Sequence, residues 1–249
     1  KRLVLAIIFR LVIFDMLQLM LININDDTVY MMDLKELEYI LIDMDGVILD
    51  TAYDNYFWQT HIPRKYSELH SHSLDQATKI THSLFNLKKK TKDWYDLDYW
   101  SNMLGLDVEA EKLSPSMIEK ISLKKDILST LKELQSDKKL FLVTNAHRKT
   151  LNIKLKKYPI EKYFENIICS HELNYVKEDI QFWFILRNVL GIDYKKSILV
   201  EDTLDNIKSA YHAGLKSIFI SDKEVHLPYV KNLKELSDLP SYLKQIQAM

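Results

Sequence analysis

Two carboxylates one residue apart, Asp43 and Asp45, follow the apolar run Tyr39-Ile40-Leu41-Ile42 and precede Gly46. In extended backbone, side chains two residues apart share a face. If the chain stays extended there, both acids point into the same crevice. One carboxylate can attack phosphorus and become an aspartyl-phosphate. The other can protonate the departing oxygen and later draw a proton from water. Gly46 permits a sharp turn out of the strand. The same residues also suit an ordinary strand-end turn.

Three further polar clusters follow in order. Thr144-Asn145 comes after the apolar residues 140–143. A hydroxyl and neighbouring N–H groups can hold phosphate oxygens there, or the pair can cap a helix. Lys177 offers a point charge to phosphate and to an attacking carboxylate, though most lysines are solvated surface groups. Glu201-Asp202 follows residues 197–200. Adjacent acids repel unless a cation lies among them, and hard oxygen donors suit Mg²⁺. A helix N-terminus also favours acids. Each cluster alone has an ordinary structural explanation. Their order, with three of the four at strand ends, points to Mg²⁺-assisted phosphoryl chemistry at the carboxyl edge of a sheet.

The elements that must position these groups are legible as short apolar runs. Residues 39–42, 140–143, 197–200 and 217–220 read as buried parallel strands, and residues 166–169 as a shorter one. Helical patterns lie between them, over 127–135, 182–190 and 204–213, the last stopping at Gly214. This alternation predicts a doubly wound α/β fold with a mostly parallel, Rossmann-like sheet. Residues from about 51 to 120 break the alternation. They read as amphipathic helices rich in aromatics, including Tyr53, Phe57, Trp58, Phe85, Trp94, Tyr95, Tyr99 and Trp100. The expected organisation is an apolar extension over residues 1–31, a core over 32–50 and 116–249, and a helical cap inserted over 51–115.

The chain has 249 residues, 47% apolar and 28% charged, with a formal net charge of −1. That balance gives no electrostatic case for binding nucleic acid. With only Cys169, no internal disulfide can form, and a reducing, cytoplasmic setting is expected. The N-terminal stretch of residues 3–22 is apolar but contains Arg10 and Asp15. Each central charge costs roughly 2.5–3.5 kcal/mol and each large aliphatic returns about 0.3–0.6, so membrane insertion is near balance. The extension is expected to be accessory or foreign to the natural protein, and membrane contact is expected only through it.

This ordered set resembles the haloacid dehalogenase-like hydrolase superfamily. Asp43-x-Asp45-Gly46 looks like its first motif, Thr144-Asn145 its second, Lys177 its third and Glu201-Asp202-Thr203 its fourth. The insert looks like that family's type 1 cap. Within the superfamily the chain is similar to bacterial GMP/IMP nucleotidases. Asp54-Asn55-Tyr56-Phe57-Trp58, Trp94-Tyr95, Leu97-Asp98-Tyr99-Trp100, Thr144-Asn145-Ala146-His147 and Lys177-Glu178-Asp179 carry that likeness. Val47, Val176 and Glu201 depart from the commoner Thr, Pro and Asp.

The resemblance implies hydrolysis of purine 5′-monophosphates. Asp43 would be nucleophile and Asp45 the acid and base. Thr144, Asn145 and Lys177 would bind the phosphoryl group. Asp43, Asp202 and the Asp45 carbonyl would hold Mg²⁺. Most of the insert's aromatics are expected to form its own core, with some stacking on a base. Two alternatives remain open: a phosphatase or phosphomutase of the same core acting on a sugar phosphate, and a non-enzymatic module that merely accepts phosphate.

Overall fold

The computed structural model describes residue 34, residues 36–227 and residues 229–248. The apolar extension expected over 1–31, and any anchor in it, lies outside the described residues. Among the described residues no helix is long and apolar enough to cross a membrane.

Six parallel strands form one sheet: β1 Tyr39–Ile42, β2 Lys139–Thr144, β3 Asn166–Cys169, β4 Ser197–Glu201, β5 Lys216–Ile220 and β6 Val230–Leu233. Their spatial order is β3-β2-β1-β4-β5-β6. The chain therefore winds one way from β1 through β2 to β3, and the other way from β4 to β6. Brought side by side at the centre, β1 and β4 create the switch point at which open α/β sheets bind ligands. Ile42 aligns with Leu142 on one side and Val200 on the other. Asp43 continues the ladder, its N–H donating to the Val200 carbonyl at 2.9 Å.

The central strands are apolar on both faces because helices cover both. Ile40, Leu41 and Ile42 are all fully buried. Burying each such side chain contributes about 1.5–3 kcal/mol relative to exposure. Ile40 and Ile42 belong to one core cluster, while Leu41 packs with Phe182, Trp183 and Leu186 in another. That split is the period of two expected of a strand with two covered faces.

Seven α-helices lie between β1 and the next sheet helix: α1 Ala52–Tyr56, α2 Ile62–His70, α3 Leu74–Lys88, α4 Lys92–Tyr95, α5 Leu97–Leu104, α6 Val108–Lys112 and α7 Pro115–Ile118. A π-helical turn, Phe57–His61, joins α1 to α2. Ser73 starts α3 with a capping box to Gln76, and Asp96 caps α5. Tyr53, Phe57, Phe85 and Trp100 are buried among these helices. The sheet helices are α8 Ile127–Gln135, α9 Arg148–Lys157, α10 Ile180–Leu190, α11 Leu204–His212 and α12 Leu239–Gln247.

The two connections to the helical segment run together. Leu49 bridges Leu123 in antiparallel fashion, Asp50 N–H donates to Ser122 O at 3.0 Å, and Lys124 N–H donates to Ile48 O at 2.9 Å.

Candidate active site

Most of the candidate residues sit where a strand runs out. Asp43 follows β1, Thr144 ends β2, and Glu201 ends β4 with Asp202 next. Lys177 lies on the loop between β3 and α10. Asp43, Asp45, Thr144, Asn145, Lys177 and Asp202 all line one cleft of about 500 Å³. Its roof comes from the helical segment, including Trp58, Phe85, Trp94 and Tyr95.

Lys177 is the hub. Its buried Nζ donates to Asp43 Oδ1, to Glu201 Oε2 at 2.6 Å and to the Val143 carbonyl at 3.2 Å. Its main chain is pinned as well: Lys177 N–H donates to Asn145 Oδ1 at 2.9 Å, and Trp183 Nε1 donates to Lys177 O at 2.8 Å. Glu201 has no exposure and spends both oxygens on structure. Oε2 holds the lysine, while Oε1 accepts from the N–H groups of Asp202 and Thr203 at 3.1 Å each. That second pair starts α11 and aims Asp202 at the cleft.

Burial raises the Asp43 carboxyl to about 7, helped by the Glu201 charge and offset in part by Lys177. Burial likewise raises Glu201 to about 7 and Asp202 to about 6. One lysine cannot neutralise three clustered acids, two of them buried. Oxygens from Asp43, Glu201 and Asp202 lie within 4.8 Å of one another. Gly46 adds a cradle. Its φ is +87°, and a Cβ there would sit 1.8 Å from Asp202 Oδ2. Only glycine lets the main chain after Asp45 approach Asp202 so closely. An all-oxygen donor set with excess negative charge fits a small hard cation such as Mg²⁺.

Asp45 is held by a lysine the sequence reading did not single out. Lys154 Nζ donates to Asp45 Oδ1 and Oδ2 at 2.6 and 2.7 Å, and to Asp54 Oδ2 at 2.6 Å. Asp54 Oδ1 accepts from Lys112 Nζ at 2.7 Å. Both lysines are only 1% exposed. Burial alone would raise Asp54, but the two ammonium groups outweigh it and hold that carboxyl below its usual range. Asp45 is raised, chiefly by burial, with Asp54 adding to the shift and Lys154 opposing it. Five carboxylates thus meet three buried ammonium groups around the cleft floor. The signal for Lys154 was present: it shares a helix face with Leu151 and Leu155, where a lysine needs a buried partner.

Thr144 Oγ1 accepts from Ala146 N–H at 3.0 Å. The Asn145 side chain is a brace. Its Nδ2 donates to Tyr95 Oη at 3.0 Å and to Glu178 Oε2 at 2.8 Å, while its Oδ1 takes the Lys177 N–H. Tyr95 in turn donates to Glu178 Oε1 at 3.0 Å. The motif loops and the helical segment are latched together there.

The family model for haloacid dehalogenase-like hydrolases matches residues 40–220. A GMP/IMP nucleotidase of Escherichia coli K12 is 30% identical over 183 residues, 73% of this chain and 82% of the relative. The human N-acylneuraminate-9-phosphatase is 25% identical over 136 residues, 52% of this chain and 55% of its own. Among solved structures, a phosphatase from Thermococcus onnurineus superposes with a TM-score of 0.73 at 22% identity, covering 83% of this chain and 98% of its own.

Proposed function

The chain belongs to the haloacid dehalogenase-like hydrolase family, and from that premise we propose a Mg²⁺-dependent phosphomonoesterase that works through a phosphorylated Asp43 and prefers purine 5′-monophosphates. Family and phosphatase relatives together make it a phosphatase-type hydrolase. The observation that carries the mechanism is the shared setting of Asp43, Glu201 and Asp202 around Lys177 Nζ.

Asp43 attacks phosphorus in line, forming an acyl-phosphate bond as the bond to the ester oxygen breaks. Asp45, raised toward its protonated form by burial, delivers its proton to the departing oxygen. Water then attacks the phosphorylated Asp43, and Asp45 takes the proton back. Thr144 Oγ1 and the Asn145 main-chain N–H bind the phosphoryl oxygens as charge redistributes, and the Lys177 Nζ–H that rests on Asp43 turns to them as Asp43 attacks. Asp43, Asp202 and the Asp45 carbonyl would hold Mg²⁺, which when bound offsets the repulsion between the substrate dianion and the acids. Lys154 keeps Asp45 in place between the two proton transfers.

Residues 51–115 act in this reading as a cap. The paired connections at Leu49 and Leu123 give it a stem on which to open and close, excluding water when closed. The purine preference rests on the nucleotidase likeness and on the cleft roof. Trp58, Phe85 and Trp94 offer aromatic faces, and Asn55, Gln59 and His82 offer polar edges. Among the described residues His82 Nε2 is buried with no partner, so a base edge would satisfy it. Stacking contributes roughly 1–3 kcal/mol per base.

Phosphate release from GMP, IMP, AMP and several sugar phosphates, with Mg²⁺ and with EDTA, tests the proposal. We expect GMP and IMP to lead by at least about tenfold in kcat/KM and EDTA to abolish turnover. Equal rates across the panel would remove the purine preference. A sugar phosphate in front would instead favour the reading suggested by the N-acylneuraminate-9-phosphatase likeness.

A further inference from the structure

We propose that Asp96, His147 and His171 form a second cation site, built for a divalent transition ion such as Zn²⁺, which clamps the helical segment to the sheet. The three residues come from separate elements. Asp96 precedes α5 in the helical segment, His147 caps α9 after β2, and His171 lies in the 3₁₀ turn Ser170–Leu173 after β3. One ligand atom from each lies within 4.8 Å of the other two. The two imidazole rings meet edge to face, with centroids 4.8 Å apart at 85°.

Each residue has a lone pair to spare. Asp96 uses Oδ1 to accept from the N–H groups of Asp98 and Tyr99 at 2.8 and 3.0 Å. Its Oδ2 faces His171 Nε2 at 3.9 Å. His147 uses Nδ1 to accept from Lys149 N–H at 3.4 Å, which leaves Nε2. Among the described residues, both ring nitrogens of His171 are screened from water without a hydrogen-bond partner. The Lys92 main chain lies nearby without meeting hydrogen-bond geometry. A buried imidazole with two idle nitrogens is rare in native folds. Ligation of one nitrogen, with the other turned to a main-chain oxygen, is the usual arrangement at a metal.

The charged side chains around the three residues are already spoken for. Lys149 is engaged by Asp98 and Glu109, and Arg148 by Glu172. Lys92 donates to the uncharged Asn174 Oδ1. At 3.9 Å, Asp96 Oδ2 and His171 Nε2 are too far apart to share a hydrogen bond, a gap that an ion would bridge.

Two imidazole nitrogens and one carboxylate oxygen make a borderline donor set, which selects Zn²⁺ and its neighbours over Mg²⁺. Three protein ligands leave a fourth position open, and His147 lines the cleft. Tetrahedral ligands sit about 3.3 Å apart given Zn–N lengths near 2.0–2.1 Å. The ligand atoms here lie within 4.8 Å of one another, so binding would draw them together. The acid cluster at Asp43 and Asp202 is all oxygen, so the two sites would sort hard from borderline ions. Neighbouring Tyr95 already bonds Asn145 and Glu178, and a metal beside it would reinforce the same junction.

Cobalt titration of the chelator-stripped full chain, in excess Mg²⁺, provides the test. The expected result is one tight equivalent of Co²⁺ with the intense ligand-field bands of a four-coordinate ion, displaced by Zn²⁺. Zn²⁺ should raise the unfolding midpoint of the wild type. His171→Ala and His147→Gln should each weaken binding by at least about tenfold, and both should lose the bands. His61→Ala, whose ring pairs with Glu111, should keep them. Near-UV circular dichroism of both variants separates lost binding from lost folding. Six-coordinate spectra only, or bands unchanged in His171→Ala and His147→Gln, would overturn the site. So would an unfolding midpoint that ignores Zn²⁺. None of these readouts depends on phosphatase turnover.

Discussion

Asp45 and Lys154 give the sharpest residue-level expectations. Asp45→Asn keeps the shape but loses the proton relay, so kcat should fall about 10²–10⁴-fold. Lys154→Met leaves Asp45 and Asp54 facing each other without their shared ammonium group. Breaking a buried pair from one side costs about 3–5 kcal/mol, readable by urea unfolding. Lys154 lowers the Asp45 pKa, so its removal should push that carboxyl further up. The alkaline limb of the kcat–pH profile should therefore move to higher pH, and an unmoved limb would rule out Lys154 as the partner of the acid.

Asp43, Asp45, Thr144 and Asp202 could be singled out from their types and strand-end positions, Lys177 only from its place in the ordered set, and the structure gathers all five at one cleft. The role of the Asn145 side chain was not, since its bonds reach Tyr95 and Glu178 far along the chain. Lys112 and Lys154 were hidden among 34 Lys and Arg residues. Their burial follows from the packing of α6 and α9 against α1, which no local pattern reports.

At the scale of elements, the turn after β1 decides how close two acid-bearing loops can come. Gly46→Ala must place its Cβ against Asp202 and hold φ near +87°. The chain should still fold, since the sheet is built elsewhere, with a loss of about 1–3 kcal/mol. Mg²⁺ affinity should drop about 10–100-fold, as when a ligand's supporting shell is disturbed. Isothermal titration of the variant reads both affinity and stoichiometry, and an affinity equal to wild type would contradict the close-approach argument.

The central strands were readable because burial on both faces leaves continuous apolar runs. β6 was not. Val230-Lys231-Asn232-Leu233 is half-buried at the sheet edge, so its sequence carries neither a run nor a clean alternation. Helix α10 begins at Ile180, two residues before its apolar pattern is evident, because Asp179 caps it through Gln181 N–H. Helix α9, with Lys149, Lys154, Lys156 and Lys157, reads as polar although half of it packs inward.

For the whole molecule, buried acids tie stability to pH and to the metal. Asp43, Glu201 and Asp202 are raised to about 7, 7 and 6. A carboxyl raised on folding binds its proton more tightly in the native state. Its contribution is therefore complete below the unfolded value near 4 and is lost as pH rises through 6–7. Metal-free protein should unfold at a lower temperature at pH 8 than at pH 5.5. Saturating Mg²⁺ should restore about 2–3 kcal/mol at pH 8 at a hundredfold excess over Kd, and far less at pH 5.5. A midpoint indifferent to both would mean the cluster is neutralised some other way.

The most direct test of the account is to quench the enzyme during turnover of a phosphomonoester and map the phosphoryl group by mass spectrometry. We predict one phosphoryl group on the peptide bearing Asp43, present with Mg²⁺ and absent from Asp43→Asn. Undiminished turnover by Asp43→Asn, or label on any other side chain, would contradict it.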